Sequence, residues 1–130
     1  MYKNLFTIGR ILIGIVFILA GIHKIFAWEG PAAWMTMKGI PMVNFSLAIA
    51  TAVELIGGTF LLLNFKTRIA ALVLFAFFLP MTLMMHTFWQ ETGMQFQTSL
   101  LDFMQNVAIL GGLLALTTPK STSLILTHQN

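Results

Sequence analysis

Residues 5–26 read LFTIGRILIGIVFILAGIHKIF, and this stretch decides the fold. It matches the roughly 20 residues a helix needs to cross a hydrocarbon core about 30 Å thick. Its only Lys or Arg residues, Arg10 and Lys24, stand towards its two ends. The apolar residues run continuously rather than alternating. Lipid offers backbone amides no partner, so such a run crosses as a helix and not as a barrel strand. Three more stretches of this kind follow, at 43–65, 69–88 and 100–118. They predict an all-α, four-helix transmembrane bundle in which residues 1–130 form a single transmembrane domain.

The composition agrees. Charged residues make up 8% of the chain and hydrophobic residues 58%, with a mean hydropathy of +0.88, whereas soluble domains are about 25% charged. Residues 5–26 lack an A-x-A cleavage site and precede three further spans, so they read as a retained helix and not as a cleaved signal. The chain has no cysteine, which excludes disulfides, thiolate metal ligands and dithiol redox chemistry. The net charge of +3 is the excess of seven scattered basic residues over four acidic ones. The basic residues form no patch for nucleic acid.

Four spans place both termini on one side. Lys3, Lys66, Arg68 and Lys120 flank the spans there, against Lys24 and Lys38 with Glu29 and Glu91 on the other. The positive-inside rule makes the terminal side cytoplasmic. Residues 27–42 carry Trp28, Pro31, Trp34 and Gly39-Ile40-Pro41 and read as a short interfacial or re-entrant segment, with Trp28, Trp34 and Trp89 as headgroup-level anchors. Thr67-Arg68 echoes Gly9-Arg10, and Gly111-Gly112 echoes Gly57-Gly58, a weak parallel repeat of two hairpins.

Charge inside a span is costly, so each such residue should face protein, water or a ligand. Arg10, Gly14, Phe17, Gly21 and Lys24 share one helical stripe, which reads as inward, its glycines admitting a neighbouring helix. Glu54, with Gly57 and Gly58 one turn on, is expected within roughly 6 Å of Arg10 in depth. The pair would form a buried polar core, either fixing helix register or serving a ligand. At the other end His23, Lys24, His86, Asp102 and Asn106 are expected in one polar layer. It reads as a wet boundary, a headgroup site or, less readily, a metal site; no HExxH motif supports the metal. Pro80 should break one backbone bond in the third span, and Met81, Met84 and Met85 beside it read as pliable filling.

Taken together these residues resemble the DoxX family of small bacterial membrane proteins over nearly the whole chain. The resemblance rests on Arg10, Gly14 and Gly21-Ile22-His23-Lys24, on Gly39-Ile40-Pro41, and on Glu54-Leu55-Ile56-Gly57-Gly58. It continues through Thr67-Arg68-Ile69-Ala70-Ala71 and Asn106 with Gly111-Gly112-Leu113-Leu114. Asn64 departs from a usual glycine, and Gln105 from a frequent basic residue. The resemblance implies a four-helix inner-membrane bundle. Relatives named for thiosulfate oxidation pass electrons to quinone, and others associate with detoxifying redox enzymes.

The resulting expectation is an inner-membrane protein, in contact with the bilayer and able to form a homo-oligomer, that binds a quinone or other lipophilic molecule and supports a redox enzyme. Lacking a thiol or a nucleotide motif, it is not expected to catalyse alone. A small-solute or metal transporter and a purely structural subunit are the competing readings.

Overall fold

The computed structural model describes residues 1–118; Lys120 lies outside the described residues. Five α-helices follow in order: α1 (Tyr2–Phe26), α2 (Glu29–Met37), α3 (Val43–Leu62), α4 (Thr67–Met85) and α5 (Gly93–Leu116). A single 3₁₀ turn, Phe88–Gln90, joins α4 to α5. Helix makes up 85% of the described residues. Among the described residues four helices are long and apolar enough to cross a membrane, and α2 is the short segment between the first two of them.

Local chemistry ends these helices where the chain must turn. At the end of α3, Asn64 adopts a left-handed φ of 55°. The Phe65 and Asn64 amides donate to the Phe60 and Leu61 carbonyls, the paired bonds of a Schellman cap. Asparagine tolerates this conformation, which is why it can stand where the family resemblance implies a glycine. The same device closes α2. Gly39 has φ 75°, the Gly39 and Ile40 amides donate to Thr36 and Met35, and Ile40 packs on Met35. Pro41 then prevents continuation. Pro80 sits inside α4 on an exposed face.

Helices α1, α3, α4 and α5 pack in a ring, each touching the next and α5 returning to α1. The α1–α3 pair is the closest, and glycine makes it so. A Cβ on Gly14 would lie 2.9 Å from the Gly58 carbonyl oxygen, and one on Gly58 2.9 Å from that of Gly14. Two apolar clusters result. Phe17, Leu61, Ala70, Ala71, Leu74, Leu113 and Leu116 fill the half nearer the termini; Met35, Ile40 and Leu47 fill the α2 end, joined by Met81 and Met85. Leu12, Leu19, Ile56, Val73 and Leu101 turn outward, as a lipid-facing surface does.

The two hairpins are not chemical copies. Arg10 is buried, whereas its counterpart Arg68 is exposed, and Gly111 meets nothing that a Cβ would touch.

Candidate functional site

The glycine register of α1 on α3 decides where the charges go. It sets Arg10 beside the last turn of α3, where its Nη1 donates to the Leu61 and Leu62 carbonyls. Those carbonyls belong to the C-terminal turn of α3, where a cation is favoured by the helix dipole. Arg10 therefore does not pair with Glu54, contrary to the depth count from sequence. That count used span ends, whereas the contact of Gly14 with Gly58 places Glu54 nearer the other end of α1. The partner of Glu54 is Lys24, with Nζ 3.1 and 2.9 Å from the two carboxylate oxygens. Both side chains lean towards the N-termini of their own antiparallel helices, and so towards each other. The Glu54 side chain is 9% exposed and that of Lys24 23%, so the pair lies inside the bundle.

Above this pair a partly open cavity of about 140 Å³ lies between the two apolar clusters. Phe17 and Leu74 form its floor, Phe77, Phe78 and Met81 part of its wall, and Pro31 and Met35 of α2 its outer cover. Its polar groups are few: the Lys24–Glu54 pair, Thr82, His86 and Asn106. The Thr82 hydroxyl already donates to the Phe78 carbonyl. α5 supplies only Asn106 to the lining, and the close contact of α5 on α1, between Gly112 and Ile13, lies towards the terminal end. The side between α1 and α5, which supply only Phe17, Lys24 and Asn106, is thus the most thinly lined.

Of the residues expected in the outer polar layer, Lys24, His86 and Asn106 meet at this cavity. Asp102 stands behind His86, its Oδ2 3.9 Å from Nδ1, on a half-exposed side chain. His23 is not part of it. It is exposed, because a residue adjacent to Lys24 points about 100° away around the helix. Among the described residues no three His, Asp or Glu side chains are placed to hold a metal ion.

A second ion pair fastens α2 over the cavity. Lys38 Nζ lies 2.9 Å from Glu91 Oε1 and 2.7 Å from the Thr87 hydroxyl, and it also sits over the Trp34 ring. Trp34 Nε1 donates to the Met85 carbonyl at 3.1 Å, near the unwound end of α4. The Ser99 hydroxyl and the Lys38 ammonium hold the Glu91 carboxyl below its usual range.

Comparison with known proteins agrees with this architecture. The DoxX family profile matches residues 5–87. The chain belongs to the DoxX family. Among its relatives is the inner membrane protein YphA of Escherichia coli (strain K12), 31% identical over 122 residues, covering 92% of this chain and 87% of the relative. Another is the inner membrane protein YqjF of the same strain, 35% identical over 119 residues, or 90% and 86% of the two chains. No solved structure matches.

For this DoxX-family chain, most of the residues that carried the resemblance have a structural task. Gly14, Gly21, Gly57, Gly58 and Gly112 lie where a Cβ would strike α3, α1 or α4 atoms. Gly39 is the left-handed end of α2. Lys38 and Glu91 were not expected at the site, since each reads in sequence as an isolated interfacial charge. Their separation along the chain gave no spacing signal, and only the fold of α2 towards the α4–α5 connection joins them.

Proposed function

We propose that this DoxX-family protein is an inner-membrane protein whose cavity binds a quinone or another lipophilic molecule with a small polar headgroup, in support of a membrane-associated redox enzyme. The cavity carries this reading. Apolar and aromatic walls with a few convergent polar groups are the usual make-up of a small-molecule site. Here an ion pair lies inside the bundle beside a space large enough for a ring, although such a pair is weak evidence for stability by itself. The names of both relatives support the inner membrane. Exposed Lys3, Lys66 and Arg68 at the terminal end support cytoplasmic termini. The packed layer of Phe17, Leu61, Leu74 and Leu113 beneath the cavity weighs against a transport path through one chain.

The test is thermal unfolding of the detergent-purified protein with a decyl-substituted benzoquinone. A ligand at 100 times its Kd stabilises by about 2.7 kcal/mol, so the midpoint should rise for wild type. The Glu54→Gln, His86→Ala double variant should show little of that rise. An unchanged wild-type midpoint, with no quinone retained through purification, would count against the reading.

A further inference from the structure

The outer cover of the cavity is built differently from its floor. Floor and inner wall belong to helices locked together at Gly14 and Gly58 and to the packed cluster around Phe17 and Leu74. The cover is α2, nine residues long, bounded by Ala27-Trp28 on one side and left-handed Gly39 on the other. It is fastened to the far side of the bundle through Trp34 and Lys38. Met35 projects from it into the lining; the residue is 1% exposed and packs in the cluster with Leu47, Met81 and Met85.

The space Met35 leaves is the informative quantity. About 140 Å³ compares with the engineered apolar cavity of about 150 Å³ that accepts benzene. One six-membered ring fills that volume, and a fused second ring held inside it requires a wall to move. Three adaptable methionines, Met35, Met81 and Met85, line the cavity, and of these Met35 is the one carried on the short cover helix rather than on a membrane-spanning one.

We propose that Met35 is the specificity-determining residue of this cavity, restricting it to lipophilic ligands whose headgroup is a single six-membered ring and excluding fused two-ring headgroups. This rests on the reading of the cavity as a lipophilic-ligand site. Met35 acts by occupying the volume of the second ring, and the Lys38 contact to Glu91 acts by holding α2 down so that Met35 stays there. A ligand tail leaves through the thinly lined side between α1 and α5.

The probes are a decyl-benzoquinone and a naphthoquinone bearing the same decyl chain, equilibrated with the full chain in detergent and counted on the protein by mass spectrometry. Wild type should favour the single ring by at least about tenfold, the order of discrimination a packed apolar pocket gives. Met35→Ala should bring the two affinities within about threefold, chiefly by tightening the naphthoquinone. Because that variant loses packing, Glu91→Gln provides a second reading: it keeps the methionine, frees the cover, and should also raise naphthoquinone affinity. Equal binding of the two probes by wild type, or a wild-type ratio preserved in both variants, overturns the size filter while leaving the ligand site standing. Failure of wild type to bind either probe overturns the site reading, and the filter with it.

Discussion

At the residue scale the Lys24–Glu54 pair invites the sharpest test of stability. Removing one partner strands a charge in an apolar interior, which costs about 3 kcal/mol, whereas replacing both by apolar residues of similar volume is often neutral. Lys24→Met should therefore lower unfolding stability in detergent by about 3 kcal/mol, and adding Glu54→Leu should restore most of it. Equal losses in the single and double variants would show that the two charges are not coupled. Arg10 is a different case, since its Nη1 alone reaches both the Leu61 and Leu62 carbonyls at the end of α3. Arg10→Lys should cost about 1 kcal/mol by losing that geometry, read by the same unfolding measurement. Sequence showed that Arg10, Lys24 and Glu54 must be inward, because charge in a span has nowhere else to go. It did not show who pairs with whom. Pairing depends on register, and register here is fixed by contacts between glycine backbones, which leave no polar pattern to read.

At the scale of elements, the glycines separate packing from mere occurrence. Gly58→Ala would press a Cβ to 2.9 Å from the Gly14 carbonyl oxygen and should cost about 1–3 kcal/mol through overpacking. Gly111→Ala, with nothing near its Cβ, should stay within about 0.5 kcal/mol of wild type. Unfolding of both variants under one condition checks the contrast. The cover helix has its own signature in pH. Glu91 has its carboxyl lowered in the folded protein, so its contribution is fully present above the ordinary carboxylate range and is lost progressively as pH falls from that range through the lowered value. Hydrogen exchange across residues 29–39, after correction for intrinsic rates, should stay flat above the ordinary glutamate range, rise as pH falls through that range, and level off below the lowered value. Glu91→Gln should raise it at neutral pH and meet the wild-type value once pH lies below the lowered value. The four long helices were legible because bilayer thickness sets their length and water-free backbone sets their type. α2 was legible only as an interfacial segment. Its nine residues are too few for a hydrophobic period to speak, and its position comes from Trp34, Met35 and Lys38 reaching partners on α4 and the α4–α5 connection.

At the scale of the whole molecule, the outside is apolar and the inside holds the chemistry. The two apolar clusters stop short of each other, and the cavity between them is where Lys24, Glu54, His86 and Asn106 converge. This convergence was only half visible in sequence. The residue types marked one polar layer, but the helical face that sends His23 outward and Lys24 inward depends on how α1 rotates against α3. The central claim is that the cavity is kept for a lipophilic ligand and is not a packing fault. Ala50 is buried and lines it, so Ala50→Leu fills the space with three added carbons, while Leu101→Ala alters only the lipid-facing surface. The direct measurement is mass spectrometry of small molecules extracted from gently purified wild type, Ala50→Leu and Leu101→Ala, each first shown to unfold cooperatively. The account predicts a ring-bearing lipophilic molecule retained by wild type and by Leu101→Ala and depleted at least about tenfold in Ala50→Leu. Bulk phospholipid alone in all three, or the same molecule retained equally by Ala50→Leu, would contradict it.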